Sequence, residues 1–481
     1  MLGNLCLADE TKICYYERGN YVAVPNCSEL KPNRLSKIEM KTREVVIELL
    51  SQLGSSREAR EYLRKFSSNE SSQFAVIKVG GEVLQNDLSQ LASSIGFLHH
   101  VGLFPIVLHG AGTQLNQALE KAGVKSEKID GVRVTTPDVM SIIRPVVYQQ
   151  NLRLVESLEQ LGIRSRSLQH GVFDCAYEDE QKFGLVGRVT NVNLDSIRST
   201  IAAGSLPIVT CLGETAGGQV VNINADVAAV NLVLEIKPLK IIFLSPTGGL
   251  LDQNDQLITA INLETDCQRL LNSDWVHSGM RLKLIQIAEL LEQLPLSSSV
   301  SITSAHNLTR ELFTHRGAGT LIRRGEGFLH ESKISELRQS ELKSLIEICF
   351  GREISDHYFE NLDLEQLIWS GSGRAAAVMC RGVEGVAYMD KFAVTPMAQG
   401  EGLGAALWKQ IREQYDCLYW RSRGENPINS WYSRQADFCV RAGKWQVFGC
   451  GVSDFQLIEK LVGDAGMRSE FRMIEKQGSA Q

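Results

Sequence analysis

Phe74-Ala-Val-Ile-Lys-Val-Gly-Gly81 decides how the chain is read: a short apolar run that carries Lys78 and ends in two glycines. A second apolar run, Phe104 to Leu108, closes the same way on His109-Gly-Ala-Gly112, with a helix-favouring stretch through Leu98 between them. Strand, glycine turn, helix, strand is the rhythm of a parallel sheet covered by helices. Leu206 to Thr210, Ile241 to Leu244 and Val300 to Thr303 read as further buried strands. The apolar runs are sheet core; the glycine-rich ends differ, because open α/β sheets take ligands at the carboxyl ends of their strands. There, glycines let backbone N–H groups approach phosphate oxygens and a lysine adds charge. Read alone, Lys78 fits a solvated strand end equally well.

Working outward, 481 residues make two or three domains. A hydrophobic content of 43% with 22% charged residues is ordinary for a globular chain. The net charge of −6 argues against a nucleic-acid or membrane surface, so anionic ligands would be held by a few placed cations and amides. The eleven cysteines are scattered, with no CxxC pair and no zinc spacing, so no metal site is expected and the thiols suit a reducing compartment. No apolar run is long enough to span a membrane and no signal-peptide layout opens the chain, so the cytoplasm is expected. Residues 1–35 show no period and are expected to be poorly structured, as a tail or an extension ahead of a second start at Met40. Residues 36–66 favour a charged helix, and 70–323 carry the α/β pattern. A polar stretch, Arg323 to Glu331, reads as the linker to a smaller α+β domain over 324–481. That domain offers a helix near Ile334 to Phe350, strands at Ala375 to Cys380 and Gly385 to Val394, and then Gln399-Gly-Glu-Gly-Leu-Gly404 opening a helix.

No Walker A motif or dinucleotide fingerprint is present, so a nucleotide needs another architecture. In order along the chain come Phe74–Gly81, His109–Gly112, Asp130-Gly-Val-Arg-Val-Thr-Thr-Pro-Asp138, Asn222-Ile-Asn-Ala-Asp226 and Gly279-Met-Arg-Leu-Lys283. Together they resemble the acetylglutamate kinases of the amino-acid kinase superfamily. The resemblance implies a three-layer α/β fold with a mainly parallel central sheet, and transfer of phosphate from ATP with Mg2+ to the side-chain carboxylate of N-acetyl-L-glutamate. Phosphoryl transfer needs positioning and charge stabilisation. Under the resemblance Lys78 binds the transferring group, Lys283 neutralises the leaving oxygen and Asp226 orients the two lysines. Gly80, Gly81, Gly110 and Gly112 supply amides, Arg133 the substrate's α-carboxylate contact, and Asn222 a hydrogen bond to its acetamido group. Taken singly, Arg133 is also a surface charge and Asp226 a helix N-cap in Asn224-Ala-Asp226. Two departures stand out: Ala111 within a turn usually made of glycines, tolerable at negative φ, and Pro246 where many such kinases carry an aspartate.

His306-Asn-Leu-Thr-Arg-Glu311-Leu-Phe-Thr-His-Arg-Gly317-Ala-Gly319-Thr320 resembles the segment of arginine-regulated acetylglutamate kinases. It implies L-arginine as an effector, with Glu311 meeting a cationic group of the ligand and His306, Gly317 and Gly319 around it. The helix over 36–66 resembles one that links subunits, implying a homo-oligomer, a tetramer. Without that likeness the segment is a helix followed by a glycine C-cap.

In the second domain, the Gln399–Gly404 loop precedes a helix with apolar Leu407 and Ile411, and a glycine loop at a helix N-terminus presents free amides to a pyrophosphate. With Phe350-Gly-Arg352, Tyr388-Met-Asp-Lys391-Phe-Ala-Val394 and Trp420-Arg-Ser-Arg-Gly-Glu-Asn426-Pro-Ile-Asn-Ser-Trp-Tyr432, it resembles the GCN5-related acetyltransferase domain of vertebrate-type N-acetylglutamate synthases. The likeness implies acetyl-CoA as co-substrate, held by Gln399, Gly400, Gly402 and Gly404, and L-glutamate held by Arg352, Lys391, Arg421 and Asn426. Tyr432 would protonate the departing thiolate; Tyr388 and Trp431 read as packing. The expectation is a bifunctional synthase and kinase of arginine biosynthesis. The alternative is a synthase whose kinase fold is a non-catalytic arginine-sensing and assembly module, and a third reading keeps the kinase and silences the acetyltransferase.

Overall fold

The structure, a computed structural model, describes Phe74–Arg468 apart from Asp130, His277, 314–317, Asp356, Met397 and 399–401. Before Phe74 it describes three short strands, Cys6–Leu7, Ile13–Glu17 and Asn20–Ala23, paired antiparallel where no regular structure was expected. The helix expected over 36–66 lies outside the described residues, as do Gln399, Gly400 and Gly317.

Ala75–Val79 lies in the middle of an eight-stranded sheet. Ile106–His109, Leu206–Thr210 and Ser165–Leu168 follow on one side, and Lys240–Leu244 and Ser299–Thr303 on the other, all parallel. Thr320–Arg323 then returns antiparallel to Ser299–Thr303, and Ala260–Asn262 forms the edge. The four central strands, Ala75–Val79, Ile106–His109, Leu206–Thr210 and Lys240–Leu244, are mostly apolar because helices cover both faces and bury both sets of side chains. The chain leaves Ala75–Val79 in one direction and later restarts beside it in the other. That reversal opens a crevice at the carboxyl end of Ala75–Val79. The helical stretch expected through Leu98 is two helices, Gly81–Asn86 and Leu88–His100, joined at Asp87. Pro137–Glu159 is a long helix begun by Thr136, whose side chain accepts from the Val139 N–H, with Pro137 in the first turn where a missing N–H costs nothing. A four-stranded sheet (Gly187–Val192, Phe173–Tyr177, Leu212–Thr215, Val220–Asn222) and a hairpin of Lys128–Ile129 with Val132–Arg133 flank the crevice.

The expected linker needs correction. Thr320–Arg323 belongs to the first sheet and Phe328–Glu331 is the edge strand of the second, so only 324–327 connects them. Polar residues at an edge strand face water while the backbone pairs, which is why this segment read as a loop.

The second sheet runs Phe328–Glu331, Leu364–Ser370, Ala375–Cys380, Ala387–Val394, Leu418–Arg423, Trp445–Cys450, Phe438–Ala442. Its pairs are antiparallel except Ala387–Val394 with Leu418–Arg423, which pair only at Ala387↔Leu418 and Tyr388↔Tyr419. Past Tyr388 and Tyr419 the two strands splay, and a wedge opens in the middle of the sheet. Helix Glu336–Phe350 packs with Tyr388 and Tyr419 on one face; helix Leu403–Gln414 packs with Trp420 and Phe448 on the other.

Candidate functional sites

The first site forms where two glycine turns meet at the crevice. The Gly110 N–H donates to the Val79 carbonyl at 2.9 Å, and Gln114 Nε2 donates to the Gly81 carbonyl at 2.7 Å. The turns approach so closely that a Cβ on Gly81 would stand 2.6 Å from Gln114 Oε1 and 3.0 Å from the Gly112 nitrogen. Gly80 and Gly112 face open space instead, and a Cβ on Gly110 would meet only Ala225. Ala111 adopts φ −134°, so a side chain is accommodated there. The first N–H groups of helix Gly112–Lys121 have no helical partner and are free for an anion.

Lys78 reaches across the crevice to Asp226, Nζ to Oδ1 at 2.7 Å. Asp226 lies in the first turn of helix Ala225–Ile236, whose N-cap is Asn224: the Asn224 side chain accepts from the Asp226 N–H at 2.8 Å. Asn224 does the capping, so the reading of Asp226 as the cap is corrected and its carboxylate is left for the lysine. Asn222 Nδ2 donates to Thr135 Oγ1 at 3.3 Å, joining the flanking sheet to the start of the long helix. Arg133 donates to Ser126 Oγ at 2.7 Å and to Asn116 Oδ1 on helix Gly112–Lys121. Lys283 stands exposed on helix Ser278–Glu292, and among the described residues no hydrogen bond or ion pair joins it to Lys78 or Asp226. Pro246 sits in a turn closed by the Gly248 N–H on the Ser245 carbonyl.

Beneath the turns lies a set that the sequence did not single out. His109 is fully buried, its ring in contact with Asn151 Nδ2 at 3.0 Å, and burial lowers its pKa to about 4. Cys211 donates to the His109 carbonyl, and its burial pushes the thiol up to about 12, so it is an inert core group. Gln114 could have been read from its place one turn into the helix after the second glycine turn.

In the proposed arginine segment, Glu311 on helix Leu308–Phe313 is buried. Its Oε2 accepts from the Ala318 N–H at 2.6 Å, while Oε1 is buried with no partner among the described residues. Gly319 has a steric reason of its own: a Cβ would strike the Ile302 carbonyl. His306 is exposed, 4.0 Å from Asp87.

The second site lies at the strand splay. Gly402 caps helix Leu403–Gln414 at φ +82°, where a side chain would be strained and would crowd Arg323. Gly404, inside the first turn, lies next to Val394 and Phe392. Tyr432, on helix Asn429–Gln435, is buried among Phe392, Trp420, Trp431 and Phe448. Burial pushes its phenol pKa well up, so it stays protonated. Tyr388 and Trp431 pack as expected, Tyr388 against Tyr419 and Trp431 stacked on Phe392. Lys391 is not a free cation: its Nζ lies 2.6 Å from Asp390 Oδ2, which also accepts from the Tyr358 hydroxyl at 2.7 Å. Burial works against the Asp390 charge, but Lys391 and the two hydrogen bonds outweigh it and hold the carboxyl below its ordinary range. Arg421 donates to the carbonyls of Ala465 and Arg468 at the end of helix Phe455–Met467, so it holds that helix to the sheet. Arg352 follows the left-handed C-cap Gly351, and Asn426 Oδ1 accepts from the Ile428 N–H at 3.3 Å.

Comparison with known proteins matches both halves. Residues 73–300 fit the profile of the amino acid kinase family, and 329–468 fit the N-acetyltransferase domain of N-acetylglutamate synthase. An acetylglutamate kinase of Xanthomonas campestris is 47% identical over 420 residues, covering 86% of this chain and 99% of that protein. The human mitochondrial N-acetylglutamate synthase is 31% identical over 428 residues, 86% of this chain and 77% of that protein. The structure of N-acetylglutamate synthase from Neisseria gonorrhoeae, with coenzyme A and N-acetylglutamate, superposes with TM-score 0.59 at 19% identity, over 82% of this chain and 97% of that one. At that identity the likeness is one of fold.

Proposed function

The chain belongs to the family of acetylglutamate kinases and N-acetylglutamate synthases that join an amino acid kinase domain to an N-acetyltransferase domain, and from that premise we propose that it carries both activities. One domain acetylates L-glutamate with acetyl-CoA; the other phosphorylates the side-chain carboxylate of the N-acetyl-L-glutamate formed. The observation that carries the kinase half is the Lys78–Asp226 ion pair at the sheet crevice, beside glycines that leave room for phosphate. A sensor module with no chemistry has no use for that arrangement. In this reading Lys78 and the turn amides bear the charge of the moving phosphoryl group, Asp226 keeps Lys78 aimed, and Lys283 swings in from its exposed helix as the nucleotide binds. Mg2+ enters with ATP, since it keeps several waters and is held largely by phosphate oxygens.

In the other domain Gly402 and the first turn of its helix receive the pyrophosphate, Tyr432 protonates the departing thiolate, and Arg352, Lys391, Arg421 and Asn426 surround the amino-acid substrate. L-arginine as effector at Glu311, a homotetramer and a cytoplasmic location complete the proposal. The eight free thiols among the described cysteines fit a reducing compartment. Purified protein assayed for coenzyme A release from acetyl-CoA with glutamate, and for ADP release that requires N-acetylglutamate, tests the core of it. Glutamate-dependent thiol release without any acetylglutamate-dependent ADP would leave the sensor-module reading, which the exposed, unengaged Lys283 would then explain. Within an active kinase, Lys283→Ala is expected to cut phosphorylation by about a hundredfold or more and to spare acetyl transfer.

A further inference from the structure

Gln114 departs from what its position favours. It is the third residue of helix Gly112–Lys121, whose N-cap is Ala111, and a glutamine there ordinarily reaches back to the N–H of its own N-cap. Here the side chain turns the other way. Nε2 donates to the carbonyl of Gly81, the first residue of helix Gly81–Asn86, at 2.7 Å, while Oε1 is buried without a partner among the described residues. A buried acceptor left unmatched costs stability, so a local cap has been given up for a bond between two helices. Gln114 is 8% exposed, which shields that bond from water.

The two helices it joins start from the two glycine turns. The Gly80 carbonyl accepts from the Leu84 N–H at 3.2 Å and the Ala111 carbonyl from the Leu115 N–H at 2.8 Å, and neither helix has a side-chain cap. At the strand ends the turns are tied by the Gly110 N–H on the Val79 carbonyl, and Gln114 ties them again on the helical side. Gly80 and Gly112 both face open space. The second turn has a further anchor beneath it, the His109 ring against Asn151, so Gln114 passes that anchorage on to the first turn. We propose that Gln114 is a positioning residue for phosphoryl transfer, a strut that holds the two glycine turns at one separation around the moving phosphoryl group; this rests on the kinase reading above. It acts through the turn amides and touches neither substrate. Donors of that kind stabilise a transition state only when they are fixed in place before the charge develops. Loss of the strut is therefore expected in kcat and not in KM.

Two variants of the full chain test this, with acetylglutamate-dependent ADP release as the assay and unliganded melting alongside. Gln114→Met keeps the length of the side chain and removes the donor. It is expected to lower kcat about ten- to a hundredfold, with KM for ATP and for N-acetylglutamate changed by less than about threefold. Gln114→Glu sets a carboxylate against the Gly81 carbonyl, where two acceptors repel; once protonated, its O–H donates to that carbonyl and restores the strut. Burial raises the pKa of a carboxyl, so kcat of this variant relative to wild type should climb as pH falls from about 8 to about 6. The same ratio for Gln114→Met should stay flat. A part in folding alone would lower Tm in both variants and give no recovery at acid pH. Should Gln114→Met melt too low to assay, the pH profile of Gln114→Glu decides by itself. A flat ratio in Gln114→Glu, wild-type kcat in either variant, or a loss confined to KM would overturn the positioning role. Absence of ADP release from the wild type would instead overturn the kinase reading on which it rests.

Discussion

Tyr432 and His109 show how burial alone assigns a chemical state. The phenol of Tyr432, desolvated by the ring cluster, is kept protonated, which suits a group that gives a proton to a leaving thiolate. Tyr432→Phe preserves the packing and removes the donor. It is expected to slow acetyl transfer by about 10²–10⁴-fold, the usual worth of general acid catalysis, with kinase rate and Tm unchanged. Steady-state assays of both half-reactions decide it; equal acetyl-transfer rates would remove Tyr432 from the mechanism. His109 makes a pH prediction for the kinase domain. Its folded pKa of about 4 lies below the ordinary 6.5, so between those values the unfolded chain binds more protons than the folded one. Its contribution to stability is therefore full above about pH 6.5 and is lost as pH falls towards 4. Urea midpoints followed from pH 7 to 5 should fall, and His109→Gln should flatten that slope. Neither residue's state was readable from sequence: His109 looked like the opening of a turn, and only the sheet around it shows that it is core.

At the scale of elements, glycines that look alike in sequence do different work. Gly81 is fixed by contact with the second turn, whereas Gly80 faces open space, where the proposed phosphate would lie. Gly81→Ala is expected to destabilise the kinase domain by about 1–3 kcal/mol through overpacking. Gly80→Ala should leave Tm unchanged and weaken phosphorylation by intruding on the ligand; a normal rate for it would mean that phosphate does not use that space. The strand–turn–helix rhythm of both turns was legible because buried parallel strands are apolar on both faces and end abruptly in glycine. The pairing of Lys78 with Asp226 was expected only through the family resemblance; nothing in the local pattern shows it, since only the crossover from one side of the sheet to the other brings the two together. The edge strand Phe328–Glu331 was missed for the opposite reason: its identity lies in backbone pairing with Leu364–Ser370, and four residues, two apolar and two polar, carry no strand signal.

The whole molecule depends on how the two domains are joined, and there the short connection matters. Glu326 is buried and pairs with Arg374 while taking a hydrogen bond from Ser372, which pins 324–327 to the acetyltransferase sheet. On the kinase side the Arg324 carbonyl accepts from the Glu264 N–H at 3.2 Å, and Lys409 on helix Leu403–Gln414 lies 3.6 Å from Asp266. The strand Thr320–Arg323, which begins directly after the Glu311–Ala318 contact, ends with Arg323 against the Gly402 turn. A ligand that changed the setting of Glu311 would thus act on a strand whose far end touches the proposed coenzyme A loop. For L-arginine to exert control this way it must bind two arrangements of the chain with different affinity, and a coupling of about 1–3 kcal/mol would change acetyl-CoA or glutamate affinity by roughly 5–150-fold. Glu311→Gln keeps an acceptor for the Ala318 N–H and removes the charge that would meet the ligand's cation. Arginine titrated against acetyl transfer should require at least about tenfold more effector in that variant. Glu326→Gln should instead leave arginine binding to the kinase domain unchanged and reduce its effect on acetyl transfer, because it loosens the joint and not the site. An identical arginine response in wild type and Glu311→Gln would remove the effector from this segment, and an unaltered one in Glu326→Gln would mean that the coupling runs elsewhere than through 324–327.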